Sequence, residues 1–172
     1  KLNGEKIKLI KKLQASICFS IWSSFIFPKK IIQIFPFGIY NLHNSLLPQL
    51  AGSGANIWTI IEKKQAGVTL HKINENIDDG PIIAQLQIQY DFSDNGKSLF
   101  DKQIDGMIKI FLENYNNLLS NNFCYLKAKY KKSFKFLKYR DSLKKIDLDE
   151  KITVEDFLNR VRAYDFGDLD SC

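Results

Sequence analysis

An asparagine and a histidine two residues apart, Asn41 and His43, are the side chains of this 172-residue sequence best suited to chemistry. They follow the apolar and aromatic stretch 37–40, and Pro48 ends the segment, which predicts a strand running into a loop. Side chains two apart on an extended backbone point to the same face. An amide N–H can donate to an oxyanion while an imidazole moves a proton, so the pair suits acyl-group chemistry.

A carboxylate that could orient His43 is missing from this segment. Asp78 and Asp79 are the candidates, in a loop that follows the strand-like residues 67–71, and spacing alone does not choose between them. The second histidine, His71, is expected to pack or to bond to a loop rather than to take part in catalysis. With two histidines and no cysteine cluster, the sequence predicts no protein-bound metal.

The segments around these residues predict an α/β fold. Apolar residues at helical spacing predict helices, whereas short apolar or alternating runs predict strands. The predicted helices are 4–14, 55–64, 99–119 and one that follows Thr153, and the predicted strands are 15–21, 37–41, 66–73 and 82–90. Ser98 with Asp101 resembles a capping box for the third helix, and residues 51–54 have the composition of a loop. We expect a Rossmann-like, mostly parallel sheet flanked by helices, with the site at the carboxyl ends of the strands.

Composition places few limits on partners. The net charge of +6 allows an anionic partner, but it also reflects a general richness in Lys, Ile and Asn. The cysteines Cys18, Cys124 and Cys172 are far apart, and free thiols in a reducing cytoplasm account for them. The apolar stretch 15–27 contains serines and is too short to span a membrane, so no membrane association is expected.

Four motifs in order resemble the folate-dependent formyltransferase family. They are the run 41–48, Gly52 with Trp58, the strand-like residues 67–71, and residues 78–83. That family includes methionyl-tRNA formyltransferase, glycinamide ribonucleotide formyltransferase and enzymes that act on nucleotide-linked amino sugars. The resemblance implies transfer of a formyl group from 10-formyltetrahydrofolate to an amine.

The resemblance also implies which residues form the site. Asn41, His43 and Asp78 would be catalytic, because the family pattern Asp-x-Gly puts Asp79 at the variable position. The donor would pack into an apolar slot and be recognised mostly by backbone groups. The matching residues are Phe25, Ile26, Phe27 and Ile32 on one side of the slot and Asn74, Glu75, Asn76 and Ile77 on the other.

The acceptor is less sharply defined. The segment 51–58 and the end of the chain look most like the branch that formylates nucleotide-linked amino sugars, such as a dTDP-4-amino-4,6-dideoxyhexose. The alternative is methionyl-tRNA formylation, because residues 125–145 are basic with aromatic residues between the lysines, although a pair of solvated strands would explain the same pattern. Nucleic acid is expected only under that alternative, and a homodimer is left open.

The resemblance sets expectations for the domains as well. Residues 1–150 would form the formyltransferase catalytic domain, and residues 151–172 a closing helix and the start of a C-terminal extension. Family members usually have further strand–helix units before the part that matches residues 1–14. A third hypothesis is therefore an N-terminally truncated, inactive fragment of a formyltransferase.

Overall fold

The protein is built around a four-stranded sheet with helices on both sides. The structure, a computed structural model, describes residues 4–23 and 25–167. The helices are α1 (Gly4–Lys12), α2 (Lys29–Ile32), α3 (Ala55–Ile61), α4 (Gly96–Leu119), α5 (Leu137–Ser142) and α6 (Val154–Ala163). The strands are β1 (Ile17–Ile21), β2 (Gly38–His43), β3 (Ala51–Gly52), β4 (Ala66–Lys72), β5 (Ile82–Ile88) and β6 (Phe134–Lys135). The free thiol expected at Cys172 and the last part of the expected closing segment lie outside the described residues.

The main sheet has the strand order β1-β2-β4-β5. β1 and β2 are parallel, whereas β2 with β4 and β4 with β5 are antiparallel. The α/β class is confirmed, but the expectation of a mostly parallel sheet does not hold for the described strands. β4 and β5 are joined by residues 73–81 alone, which is shorter than the crossover that parallel neighbours need.

A second, two-stranded sheet pairs β3 with β6 in parallel. It forms where composition predicted only a loop at residues 51–54. The pairing with a distant segment turns part of that loop into a strand, and a local reading of the sequence has no access to such a partner. Within residues 125–145, the only described regular elements are β6 and α5, so the expected pair of solvated strands is wrong for this segment.

Helix α4 packs across the main sheet and begins earlier than predicted. Its N-cap is Asn95, whose side chain accepts from the Ser98 backbone N–H at 2.8 Å, while the Ser98 hydroxyl accepts from the Asn95 N–H at 3.0 Å. Ser98 is therefore the third residue of the helix rather than its cap, and Asp101 instead pairs with Lys97 at 2.6 Å. The main core joins β2, β4 and α4 through Tyr40, Leu42, Val68, Leu70, Met107, Ile110 and Leu118.

Helix α6 closes the fold against α3. Thr153 caps it as predicted, because its hydroxyl oxygen accepts from the Asp156 backbone N–H at 3.1 Å. Lys63, just after α3, pairs with Glu155 at 2.9 Å and with Asp156 at 3.0 Å. A small apolar cluster joins the two helices and the start of α4 through Ile57, Ile60, Leu99 and Ala163.

The apolar N-terminal stretch is part of this fold. Residues 17–21 form β1, which pairs only with β2 among the described strands, and only Ser20 in it is buried. Pro28 precedes α2 at its N-cap position. None of the helices in the described ranges combines the length and the hydrophobicity that a membrane crossing requires.

Candidate active site

Two neighbouring strands bring the candidate residues to one face of the sheet. In the pairing of β2 with β4, Asn41 lies opposite His71 and His43 lies opposite Thr69. Because alternate residues of a strand share a face, these four side chains lie on the same side of the sheet. The first two were expected to share a face from their spacing, but only the register between the strands adds the other two.

Asn41 contacts the second histidine. Its Nδ2 lies 3.1 Å from His71 Nε2, and His71 Nδ1 lies 3.3 Å from the carbonyl oxygen of Lys72. Burial, together with the nearby His43 and against the attraction of Asp78, lowers the pKa of His71 to about 4. A neutral His71 that donates to Lys72 accepts from Asn41 at Nε2, which fixes the direction of the Asn41 amide nitrogen. His71 was expected to pack or to bond to a loop, and its contact with Asn41 was not predicted.

His43 is buried between a backbone carbonyl and a carboxylate. Its Nε2 lies 3.1 Å from the Leu50 carbonyl oxygen, and its Nδ1 lies 3.5 Å from Asp78 Oδ2. A ring with an N–H at both nitrogens would find an acceptor at each. The Asp78 carboxylate is itself held by the Gly52 backbone N–H at 2.9 Å. Gly52 has a φ of +99°, and a Cβ there would lie 2.3 Å from the Lys135 carbonyl oxygen, so the close approach requires glycine.

The structure separates the two neighbouring aspartates. Besides its contact with His43, Asp78 has Oδ1 at 3.7 Å from His71 Nε2. Asp79 instead accepts from Asn76 at 3.2 Å and pairs with Lys132 on the surface. The hydrogen bond from Lys132 is the main cause that lowers the pKa of Asp79. Asp78 is thus the carboxylate beside the histidines, and Asp79 faces away from them.

The loop after β2 is held by a buried side chain from β4 and a partly buried one from β5. The Thr69 hydroxyl donates to the Ser45 carbonyl oxygen at 2.6 Å and accepts from the Leu47 N–H at 3.0 Å. Gln85 donates to the Leu47 carbonyl oxygen at 2.8 Å and to the Thr69 hydroxyl at 2.9 Å. Buried polar groups that are all paired in this way specify one conformation, so the loop that follows His43 is fixed by its neighbours.

A pocket of about 650 Å³ opens over these residues, which is within the range of small-molecule sites. Asn41, His43, His71 and Asp78 all line it. The proposed donor residues that also line it are Phe25, Ile26, Phe27, Asn74, Asn76 and Ile77. Most of this lining is apolar, as a flat ring system requires, and the adjoining loop offers polar groups for recognition.

Two residues assigned to the donor slot do not line the pocket. Ile32 packs instead beside the buried residues Ile31, Phe35 and Ile39, because α2 turns its apolar side to the core. Glu75 lies on the surface and pairs with Lys29 at 3.0 Å. The assignment of these two residues to the donor slot stays a prediction that the pocket lining does not support.

Another part of the lining was missed in the sequence. It comes from the second sheet and the turn after it, and consists of Phe134, Lys135, Phe136 and Leu137 together with Ser53 and Gly54. The alternation Phe-Lys-Phe at 134–136 is a strand pattern that could have drawn attention to this segment. Its place in the pocket follows only from the pairing of β6 with β3.

The fold and the site define a class of protein, an α/β protein in which an amide, an imidazole and a carboxylate meet at a pocket able to hold a flat ring system. The model of the formyl transferase family matches residues 2–113, more than half of the chain, and the chain belongs to this family. The resemblance found in the sequence is thereby confirmed. Residues 140–172 match a second model, the N-formyltransferase dimerization C-terminal domain.

Several known proteins are similar to the chain. A dTDP-4-amino-4,6-dideoxyglucose formyltransferase from Mycobacterium bovis is 28% identical over 129 residues, covering 75% of this chain and 55% of the relative. A candidate sugar N-formyltransferase structure from Mycobacterium tuberculosis superposes with a TM-score of 0.88 at 25% identity, covering 98% of this chain and 75% of that one. Methionyl-tRNA formyltransferases also match. The chain thus spans about half of the length of the curated sugar-formyltransferase relative.

A third similar protein was crystallised with ligands. The formyltransferase PseJ from Anoxybacillus kamchatkensis, in complex with UDP-4,6-dideoxy-4-formamido-L-AltNAc and tetrahydrofolate, has a TM-score of 0.74 at 25% identity. The similarity covers 83% of this chain and 74% of that one.

Proposed function

We propose that this chain transfers a formyl group from 10-formyltetrahydrofolate to the amino group of a nucleotide-linked amino sugar. The observation that carries the proposal is the contact of His43 with Asp78, beside Asn41, at the floor of one pocket. This set supplies an oxyanion donor and a proton carrier with an orienting carboxylate, which transfer of an acyl group to an amine requires. Family membership and the ligands of similar proteins support the same reaction.

In this proposal, the bound 10-formyltetrahydrofolate supplies the formyl group. Asn41 uses the amide N–H that His71 does not take to stabilise the negative charge that develops on the formyl oxygen. His43 stabilises that oxygen or moves the proton that the attacking amine loses, and Asp78 holds the imidazole in place. The pocket side chains around them exclude water, which strengthens each of these interactions.

His71 acts as a positioning residue in this scheme. It is 1% exposed and neutral at ordinary pH, so it can accept from Asn41 without adding a charge to the pocket. Without this acceptor, the amide of Asn41 could rotate and present its oxygen to the oxyanion. That orientation would be repulsive, so the contact determines whether Asn41 can serve as a donor.

The donor fits the part of the pocket lined by Phe25, Ile26, Phe27 and Ile77. Their apolar surface suits a pterin ring, and backbone groups of the loop 74–77 can hydrogen-bond to the polar edge of that ring. The tetrahydrofolate bound to PseJ supports a folate as the donor. No metal has a part in the scheme.

The acceptor assignment rests on the relatives. The curated M. bovis relative acts on a dTDP-linked 4-amino sugar, and PseJ binds a UDP-linked formamido sugar. Both support a nucleotide-linked amino sugar here. The match of residues 140–172 to a dimerization domain supports a homodimer that forms through a C-terminal region starting within α5.

A turnover assay tests the proposal. The chain is mixed with 10-formyltetrahydrofolate and either a dTDP-linked 4-amino sugar or charged initiator tRNA, and tetrahydrofolate release is followed, with His43→Ala as the control. We expect release with the sugar nucleotide and none in the control. Release with the tRNA alone would overturn the acceptor, and release with neither would overturn the activity proposed for this chain.

A further inference from the structure

Two phenylalanine side chains face the pocket from the second sheet. Phe134 and Phe136 occupy alternate positions of an extended segment and both line the pocket. Their ring centroids are 4.8 Å apart in an edge-to-face arrangement. Phe134 is 37% exposed and Phe136 is 54% exposed, whereas His43 in the same pocket is buried. We refer to these two side chains as the aromatic wall.

The aromatic wall is attached to the backbone that holds the catalytic groups. Ser133 accepts from the Ala51 N–H through its carbonyl oxygen at 2.9 Å and from the Leu50 N–H through its hydroxyl at 2.9 Å. The Ser53 N–H donates to the Lys135 carbonyl oxygen at 3.1 Å. Leu50 in turn bonds to His43, so the wall sits at a fixed position relative to the reacting groups.

Lys135, between the two rings, also lines the pocket, but its ammonium group is occupied. Lys135 pairs with Glu62, and its Nζ lies 4.6 Å from the centroid of the Trp58 ring. The wall therefore offers ring surface and no charge of its own.

The segment that carries the wall is basic in sequence. Residues 127–145 contain nine lysines and arginines against a single acid, Asp141. Three of these charges are paired, Lys132 with Asp79, Lys135 with Glu62 and Arg140 with Asp141. What the wall presents to the pocket is bare aromatic surface, which suits the flat ring of a ligand. The donor residues come from other segments, so the wall is available to the second substrate.

We propose that the aromatic wall of Phe134 and Phe136 binds the nucleobase of the acceptor. The inference rests on the proposed function and adds the place where the nucleotide is held. Stacking on phenylalanine is tolerant of base identity, because every base has a π-face and the rings make no hydrogen bonds. The wall should therefore accept dTDP and UDP with similar affinity.

Binding measurements on the full chain test the wall separately from catalysis. Calorimetry with dTDP, UDP and inorganic pyrophosphate is run on the wild type, Phe134→Ala, Phe136→Ala, Phe136→Leu and the control Phe92→Ala. Phe92 is 59% exposed, similar to Phe136, and does not line the pocket. We expect a loss of dTDP and UDP affinity of about tenfold or more in both alanine variants, a smaller loss in Phe136→Leu, and none in the control. Pyrophosphate affinity should stay unchanged, because it has no ring.

Steady-state kinetics with the sugar nucleotide complete the test. The alanine variants should raise its KM by a similar factor, with kcat and the KM for the donor near wild type. A raised donor KM instead, an equal loss of pyrophosphate affinity, or unchanged dTDP affinity in both alanine variants would overturn the inference. Wild-type chain that binds dTDP through the wall but shows no turnover would leave the inference standing and overturn the proposed function.

Discussion

Two regions of the molecule differ sharply in burial. One is the end of β2 and β4 that carries the candidate catalytic residues, and the other is the segment 119–158. Every residue of β2 except Asn41 is buried, and so is every residue of β4 except Lys72. In contrast, no residue from 119 to 158 is buried, although this segment supplies the aromatic wall. The groups proposed to react are positioned by packed strands and paired polar groups, whereas the proposed acceptor wall depends on a few backbone bonds to residues 50–53. The proposed acceptor wall can therefore change with little effect on the core that positions the proposed catalytic groups.

The largest expected effect is on turnover when the buried site is changed. His43→Ala or Asp78→Asn should lower kcat by about 100-fold to 10,000-fold, because the first removes the proton carrier and the second its orienting charge. Circular dichroism should show an intact fold in both. Steady-state rates with the sugar nucleotide measure the effect.

Asp79→Asn is the matched control for that experiment. Asp79 is next to Asp78 in the chain, but it pairs with Lys132 on the surface. The turnover of the Asp79→Asn variant should therefore stay within about twofold of wild type. Rates near wild type in His43→Ala or Asp78→Asn would contradict the proposed mechanism.

Thr69→Val should give the largest loss of stability. The substitution keeps the shape of a fully buried side chain but leaves the Leu47 N–H, the Ser45 carbonyl and Gln85 without their shared partner. We expect the free energy of unfolding to fall by about 2–4 kcal/mol, since each buried polar group loses its hydrogen bond. Urea unfolding at neutral pH measures this, and a loss below about 1 kcal/mol would show that the network does not fix the loop.

The pH dependence of stability should report His71. Its pKa of about 4 in the folded chain lies below the ordinary 6.5, so between these values the unfolded chain binds a proton that the folded chain does not. The stability due to neutral His71 is present above pH 6.5 and is lost as the pH falls toward 4. Between pH 7 and pH 5 this loss is about 2 kcal/mol.

Comparison with His71→Asn isolates that contribution. The variant lacks the titrating ring, so its unfolding free energy should fall by about 2 kcal/mol less than that of wild type over the same pH interval. Urea unfolding of both proteins at pH 7 and pH 5 provides the measurement. Equal pH dependence in the two proteins would mean that His71 is not held neutral by the fold.

Ser133→Ala should have the smallest effect and sharpens the contrast with Thr69. Ser133 lies in the exposed segment, and its hydroxyl accepts one hydrogen bond, from the Leu50 N–H. Removing it should cost about 1 kcal/mol in unfolding free energy. A cost as large as that of Thr69→Val would show that the exposed segment is held as firmly as the catalytic end.

Much of the local structure was predictable because it depends on neighbours in the chain. The strand that delivers Asn41 and His43, the helix capped by Thr153 and the two strands around residues 73–81 all follow from periodicity and capping. The start of α4 was misplaced because Ser98 suits both the cap position and the third position of a capping box. Strand direction was also missed, since the pattern of apolar residues is the same in parallel and antiparallel pairs.

The sequence by itself determined the family, through four ordered motifs, and the side chains with suitable chemistry. Only the tertiary structure decided how they meet. The register of β2 with β4 puts His71 against Asn41, the Gly52 N–H holds Asp78 rather than Asp79 beside His43, and β6 brings Phe134 to the pocket. These contacts join residues far apart in the chain, and a sequence pattern with a period of two or of 3.6 residues carries no information on which distant strand becomes the neighbour.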